Sequence, residues 1–243
     1  MKLAILRGCP DARIVDVSHT IARQDVLAGS IALERAVAAA PARTVHVAVV
    51  DPGVGTGRRI IIAKIAGQMI VCPDNGLVTW VHRRRGRMSV AALAKLPSGI
   101  SNTFHGRDVM APLAAELAMG QWPRHLQAID DPVLLNVDVA KGDGETVRGI
   151  VIQFDHFGNA TTNIPAEMLH GDDMVKIEAG RTGHRLLPVL RTYADEALGK
   201  PLALIGSSGL VEIAVRQGSA REELALRVGD VVALVRRGRW AIQ

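Results

Sequence analysis

The sequence predicts an α/β N-terminal domain followed by a mainly β, barrel-like C-terminal domain. Three observations carry this. Short apolar runs alternate with Ala- and Leu-rich helical stretches over the first half of the chain. The composition shifts near residue 132, where Asp130-Asp131-Pro132 and Lys141-Gly142-Asp143-Gly144 punctuate the chain. Beyond that point come short β-like runs with few long helical patterns. The expected division is 1–131 for the α/β domain, 132–144 for a linker and 145–243 for the barrel-like domain.

Arg13 to Ser18 is short, β-branched and mostly apolar, as a buried strand is. Asp25 to Ala40 reads as a helix with Asp25 as its cap. Thr44 to Val50 is a nearly continuous apolar run, which predicts a strand buried on both faces. It ends in Asp51-Pro52-Gly53-Val54-Gly55-Thr56-Gly57-Arg58-Arg59, a stretch that only a loop accommodates. Ile60 to Ala66 and Gln68 to Cys72 read as a hairpin turning at Gly67. A helix is expected from Leu77, and another from Asp108 to Met119 with Pro112 in its first turn. This alternation implies a largely parallel, Rossmann-like sheet covered by helices, with ligands bound beyond the carboxyl ends of strands. In the second domain, Val147 to Phe154, Met174 to Glu178, Leu202 to Ile205 and Val231 to Val235 are the β-like runs.

The chain of 243 residues is 48% hydrophobic and 22% charged, the proportions of a globular protein with a core of useful size. Aromatic residues make up only 3%, so the core is aliphatic and stacking platforms for single-stranded nucleic acid are scarce. The net charge is +5. Arginine clusters at Arg83-Arg84-Arg85-Gly86-Arg87 and Arg236-Arg237-Gly238-Arg239 read as solvated basic faces before they read as nucleic-acid sites. Two cysteines, Cys9 and Cys72, form neither a disulfide framework nor a zinc pattern. Cytoplasmic location is the expectation, with no signal peptide and no membrane span.

Several polar clusters are candidates for chemistry. The 51–59 loop lacks the Lys-Ser/Thr of a phosphate-binding loop and the spacing of a dinucleotide fingerprint. It does bring a carboxylate, Asp51, within reach of a guanidinium, Arg58. Asp74-Asn75-Gly76 is a turn signal. His105, between Phe104 and Gly106-Arg107-Asp108 at a helix start, suits proton transfer near neutrality. Asp155-His156-Phe157-Gly158-Asn159 is a polar loop between β segments, with Thr161-Thr162-Asn163 following. The amides of Gly206-Ser207-Ser208-Gly209 suit a carboxylate or a plain turn equally. His19, His46 and His82 have no metal-ligand spacing, and no metal site is expected.

Taken together and in order, these segments resemble the SAM hydroxide adenosyltransferase family, which is related to nucleophilic fluorinases and chlorinases. The matching stretches are Ile14 to His19, Val49 to Thr56, Pro73 to Leu77, Thr103 to Asp108, Phe157 to Asn159 with Thr162-Asn163, and Ser207 to Gly209 with Glu212 to Ala214. The resemblance implies an N-terminal α/β domain and a C-terminal β-barrel. It implies hydrolysis of S-adenosyl-L-methionine (SAM) to adenosine and L-methionine, with no cofactor and no metal. It implies a homotrimer with the substrate at a subunit interface, and neither nucleic acid nor membrane as partner. By motif, Asp51, Arg58 and His105 surround the attacking water. Asp155 falls near the methionine amino group, Asn159 and the backbone near Gln217 at the adenine, Ser207 and Ser208 at the methionine end, and Phe157 in the same binding loop. His105 favours water over halide, because halogenating relatives lack this histidine.

Family members carry a Thr-Asp-Phe-Gly strand and a second Asp ahead of the segment matching Met1-Lys2. The expectation is a sheet without its usual first strand, through a misassigned start codon, a truncation, or loss of part of the site in this member. A catalytically impaired SAM- or adenosine-binding trimer and a halide-dependent SAM lyase are the alternative readings.

Overall fold

The computed structural model of the chain describes residues 1–137, 140–142, 146–171, 173–178 and 185–236, the last by its backbone only. The chain divides into two compact units, Met1–Asn136 and Val137–Gln243.

The first unit holds α1 (Lys2–Gly8), α2 (Val26–Ala39), β1 (Val45–Val47), β2 (Ile60–Ile65), β3 (Gln68–Pro73), α3 (Thr79–Arg85), β4 (Ser89–Leu93), α4 (Ala111–Ala118) and β5 (Leu126–Ile129). The strands form one sheet in the order β1-β3-β2-β4-β5. Alternate residues of β2 serve opposite faces. Ile61, Ala63 and Ile65 pack with Leu33 and Val37 of α2 and Val81 of α3. Ile60 and Ile62 pack with Leu113, Ala114 and Leu117 of α4. The sheet is thus covered by helices on both faces, as expected.

It is not largely parallel. β1 runs parallel to β3, and the remaining pairs are antiparallel. The cause is local. Ala66 and Gly67 join β2 to β3 at φ 50° and 73°, a tight turn with both residues left-handed, and a turn that short forces an antiparallel pair.

Four further expectations change. Arg13 to Ser18 forms no strand, and Val15 and Val17 are 82% and 64% exposed. No neighbouring strand offers this segment a ladder among the described residues; instead Lys2 Nζ and His19 Nε2 close on Asp16 at 2.5 and 3.1 Å. β1 is only three residues long and lies at the sheet edge, where Val45 and Val47 are half-buried rather than enclosed. The helix expected from Asp108 is α4 preceded by a wide π turn over Gly106–Met110. Pro112, which has no N–H to donate, opens α4. The helix expected at Leu77 begins two residues later, as α3. The helix read after Asp25 stands, and the Asp25 side chain accepts from the Ala28 amide at 2.9 Å.

The second unit holds β6 (Lys141–Gly142), β7 (Thr146–Phe154), β8 (Ala160–Pro165), β9 (Asp173–Ile177), β10 (Arg185–Leu190), β11 (Pro201–Ile205), β12 (Leu210–Val215), α5 (Ala220–Glu223) and β13 (Val231–Arg236). The order β13-β9-β10-β11-β12-β8-β7 closes because β13 also pairs with β7, through Val231↔Ile150 to Val235↔Thr146. β10 and β11 are parallel; their neighbours are antiparallel. Closure removes the exposed strand edges of an open sheet. Val151, Ile164, Val175, Ile177, Leu187, Val211, Ile213 and Leu234 fill the interior. Of the basic run 236–239, residues 237–239 lie outside the described residues, as do Asp138, Val139, Asp143 and Gly144 of the expected linker. No helix among the described residues is long and apolar enough to cross a membrane.

Candidate active site

The parallel pair β1 and β3 ends on one side of the sheet. Asp51 follows β1 there, and Asp74-Asn75 follows β3. The loop after Asp51 then folds back. Gly55 adopts φ 83°, a conformation that glycine tolerates at no steric cost. A Cβ at that position would also meet the Asn102 carbonyl oxygen at 3.0 Å. Thr56 Oγ1 donates to the Gly53 carbonyl at 2.7 Å and tightens the turn.

The fold-back returns Arg58 to Asp51. Its Nε donates to Asp51 Oδ1 at 2.7 Å and its Nη2 to Oδ2, a two-pronged ion pair. Both side chains are buried, with 8% and 6% exposure. His105 arrives from just before the π turn and is itself 2% exposed. Its Nδ1 lies 3.1 Å from Arg58 Nη2. A guanidinium only donates, so Nδ1 is the acceptor, and in the neutral ring the proton is on Nε2. Arg58 is therefore the hub that joins Asp51 to His105. The remaining guanidinium nitrogen, Nη1, is buried and has no protein partner.

The flanking residues hold this set in place. Arg59 turns the other way, donating to Asp74 Oδ2 through Nε at 2.6 Å and to Asp131 Oδ1 through Nη1 at 2.8 Å. These carboxylates raise the Arg59 pKa. Asp74 Oδ1 accepts from the Val133 amide at 2.8 Å, so Asp74 clips the 131–133 segment rather than serving chemistry. Asn75 Nδ2 donates to the Val50 carbonyl at 2.8 Å. Asp108 accepts from Arg107 Nε at 2.6 Å and from the Ser101 amide at 3.0 Å, which lowers its pKa to about 2. Burial pushes the Cys72 thiol far above its ordinary range, so it stays a core side chain. A cavity of about 1080 Å³ opens against α1, Ser101, Arg107 and Asp108, and none of Asp51, Arg58 and His105 lines it.

The candidates of the second unit sit on barrel loops. Asp155 Oδ1 accepts from the amides of Phe157 and Asn159, both at 2.9 Å, and Oδ2 from Asn159 Nδ2 at 3.0 Å. This carboxylate therefore shapes its own loop and leaves the Phe157 ring 65% exposed. Gly158, at φ 85°, lets the loop close on Ser219, which a Cβ would meet at 2.2 Å. Its carbonyl accepts from the Arg221 amide at 3.0 Å. Gln217 lies just before this segment, at φ 56°, in the turn after β12. Ser207 and Ser208 occupy the turn at the opposite end of β12, closed by Gly206 N to Leu210 O at 2.9 Å. The structure thus gathers Phe157, Asn159 and Gln217 near one end of β12 and Ser207 and Ser208 at the other, with Asp155 close enough to Tyr193, the partner of Glu212 in β12, to raise its pKa.

Sequence reading missed Tyr193, the single tyrosine of the chain. Its hydroxyl donates to Glu212 Oε1 at 2.6 Å, and burial together with this carboxylate raises its pKa. The signal was its rarity alone. Among the described residues no group of three or more His, Cys, Asp or Glu converges as metal ligands do.

Comparison with known proteins fits this arrangement. Residues 1–127 match the SAM hydroxide adenosyltransferase N-terminal domain, and residues 149–233 the C-terminal domain of the same name. The chain belongs to the SAM hydroxide adenosyltransferase family. An (R)-S-adenosyl-L-methionine hydrolase of Thermus thermophilus is 38% identical over 97% of this chain and 92% of its own length. A hydrolase of the same description from Salinispora arenicola is 36% identical over 93% and 87%. A fluorinase of Nocardia brasiliensis is more distant, 28% identical over 93% and 87%. The crystal structure of an uncharacterized conserved protein from Thermotoga maritima superposes with a TM-score of 0.88 at 34% identity, covering 97% of this chain and 93% of that one. The two family domains thus fall one in each unit, 1–127 within Met1–Asn136 and 149–233 within Val137–Gln243.

Proposed function

We propose that this chain hydrolyses SAM to adenosine and L-methionine by in-line attack of water on the ribose C5′. The water oxygen forms a bond to C5′ as the C5′–S bond breaks. The bonding pair goes to sulfur, which leaves as a neutral thioether and needs no general acid. One water proton is lost. The observation that carries this reading is the buried Asp51–Arg58–His105 set in a chain whose hydrolase relatives align over nearly its whole length.

The roles follow from the hydrogen bonds. With Nδ1 engaged by Arg58, His105 offers Nε2–H as a donor. That supports Asp51 as the proton acceptor, since each of its oxygens keeps lone pairs beyond those given to Arg58. Arg58 fixes the spacing of the other two. Asp155 takes the methionine ammonium and Ser207 and Ser208 the methionine carboxylate. Asn159 spends its Nδ2 on Asp155, so its Oδ1 is the atom for the adenine amino group. Phe157 and the backbone at Gln217 complete the adenine contacts. The protein works without cofactor or metal, as a homotrimer with the substrate at a subunit interface, in the cytoplasm. The family resemblance supports the trimer, and sedimentation analysis tests it.

Chromatography of SAM incubated with the protein tests the reaction. Adenosine and methionine are expected in equal amounts, undiminished by EDTA, independent of chloride and lost in His105→Ala. A halogenated nucleoside would replace the hydrolase with a halide-dependent lyase. Binding of SAM without products would leave a binding protein.

A further inference from the structure

Buried polar atoms are almost always paired. Among the described residues three buried side-chain atoms lack a protein partner: Arg58 Nη1, Asn75 Oδ1 and His82 Nδ1. Two of the three flank Asp51. β2 and β3 pair Ile60 with Pro73, and the Asp74 amide donates to the Arg59 carbonyl at 3.0 Å, so the hairpin brings Asn75 alongside Arg58. Asn75 is fixed from one end. Its Nδ2 donates at 2.8 Å to the carbonyl of Val50, the residue before Asp51. A carbonyl only accepts, so the amide cannot be reversed, and Oδ1 is the acceptor left without a partner.

Resting on the hydrolase reading above, we infer that Asn75 is a fourth catalytic residue whose Oδ1 accepts a hydrogen bond from the attacking water. A water has two hydrogens and two lone pairs. Asp51 and Asn75 Oδ1 each take one hydrogen. Arg58 Nη1 donates to one lone pair. The second lone pair is left for C5′, no direction is free for the water to rotate into, and His105 acts through Arg58, whose Nη2 donates to its Nδ1. The two unmatched buried atoms beside Asp51 are then both matched by the co-substrate. Asn75 also anchors Val50, which ties the water acceptor to the backbone that carries Asp51.

The test is steady-state kinetics by adenosine release, with melting curves, for the wild type, Asn75→Ala and the isosteric Asn75→Asp. For Asn75→Ala, kcat is expected to fall on the order of 100-fold with KM within about threefold, the mark of lost orientation at the reacting atom. For Asn75→Asp, a second carboxylate beside Asp51 is expected to move the acid limb of the pH–rate profile upward. A kcat for Asn75→Ala within about twofold of wild type overturns the inference. So does a fall in kcat that is matched by lost melting temperature while the Asn75→Asp profile stays in place. If Asn75→Ala does not fold, the Asn75→Asp profile decides alone. An inactive wild type overturns both the hydrolase reading and this inference; an active wild type with unaffected variants overturns this inference only.

Discussion

The two units hold most of their candidate site residues in opposite ways. In the first, Asp51, Arg58 and His105 are buried and fix one another through side-chain bonds. In the second, Phe157 is exposed, Asp155 is tied to its own loop's amides, and the Ser207-Ser208 turn is closed by backbone. The first arrangement tolerates no missing member, because each loss strands a buried partner. The second is held mainly by backbone, through turn amides and the Arg221 amide on the Gly158 carbonyl, so a single side-chain loss there strands no buried charge. Chemistry and recognition should therefore separate in mutant kinetics, with kcat following the first unit and KM the second.

The largest break of this contrast is Arg58→Ala. It leaves the Asp51 carboxylate buried and unpaired, which should cost ~3–5 kcal/mol of stability and abolish turnover, measured by denaturant melts and adenosine release. Asn159→Ala should behave oppositely. With one Asn159 amide contact to Asp155 lost and the core untouched, KM should rise about tenfold with kcat nearly kept. A fall in kcat larger than the rise in KM would sink the division of labour. The smallest effect concerns Asp108. Its folded pKa is depressed to about 2 by Arg107 and the Ser101 amide, so its stabilising contribution is present above the ordinary carboxylate range and is lost as pH falls through about 2. Arg107→Ala should return the Asp108 titration, followed by NMR, toward its ordinary value. An unmoved titration would show that the backbone amide alone sets it.

The same contrast explains what the sequence revealed. The Asp51–Arg58–His105 set was legible through the family resemblance, because each residue sits in a distinctive motif between clear elements. The inner faces of β2 were legible as an apolar run. The segment 13–18 was misread because periodicity records a side-chain pattern, not the presence of a neighbouring strand. β8 was read as loop because Thr161, Thr162 and Asn163 are polar. They are buried all the same, with Thr162 Oγ1 bonded to the Val211 carbonyl at 2.8 Å and Asn163 Oδ1 to the Ile150 amide at 2.7 Å. Asn75 was hidden for another reason. Asp-Asn-Gly is first of all a turn signal, and only the direction of one amide distinguishes a turn residue from a water ligand.

The fit of Gly55 beneath the Asn102 carbonyl has a consequence for engineering. Any side chain there would both strain the backbone and push on the strand of chain leading to His105. The 51–59 and 101–105 loops are therefore one mechanical part made from two pieces of sequence. A graft of this buried side-chain set into another scaffold, or a chimera with a relative, should exchange both segments together. Swapping either alone would leave a loop shaped for a neighbour that is no longer there.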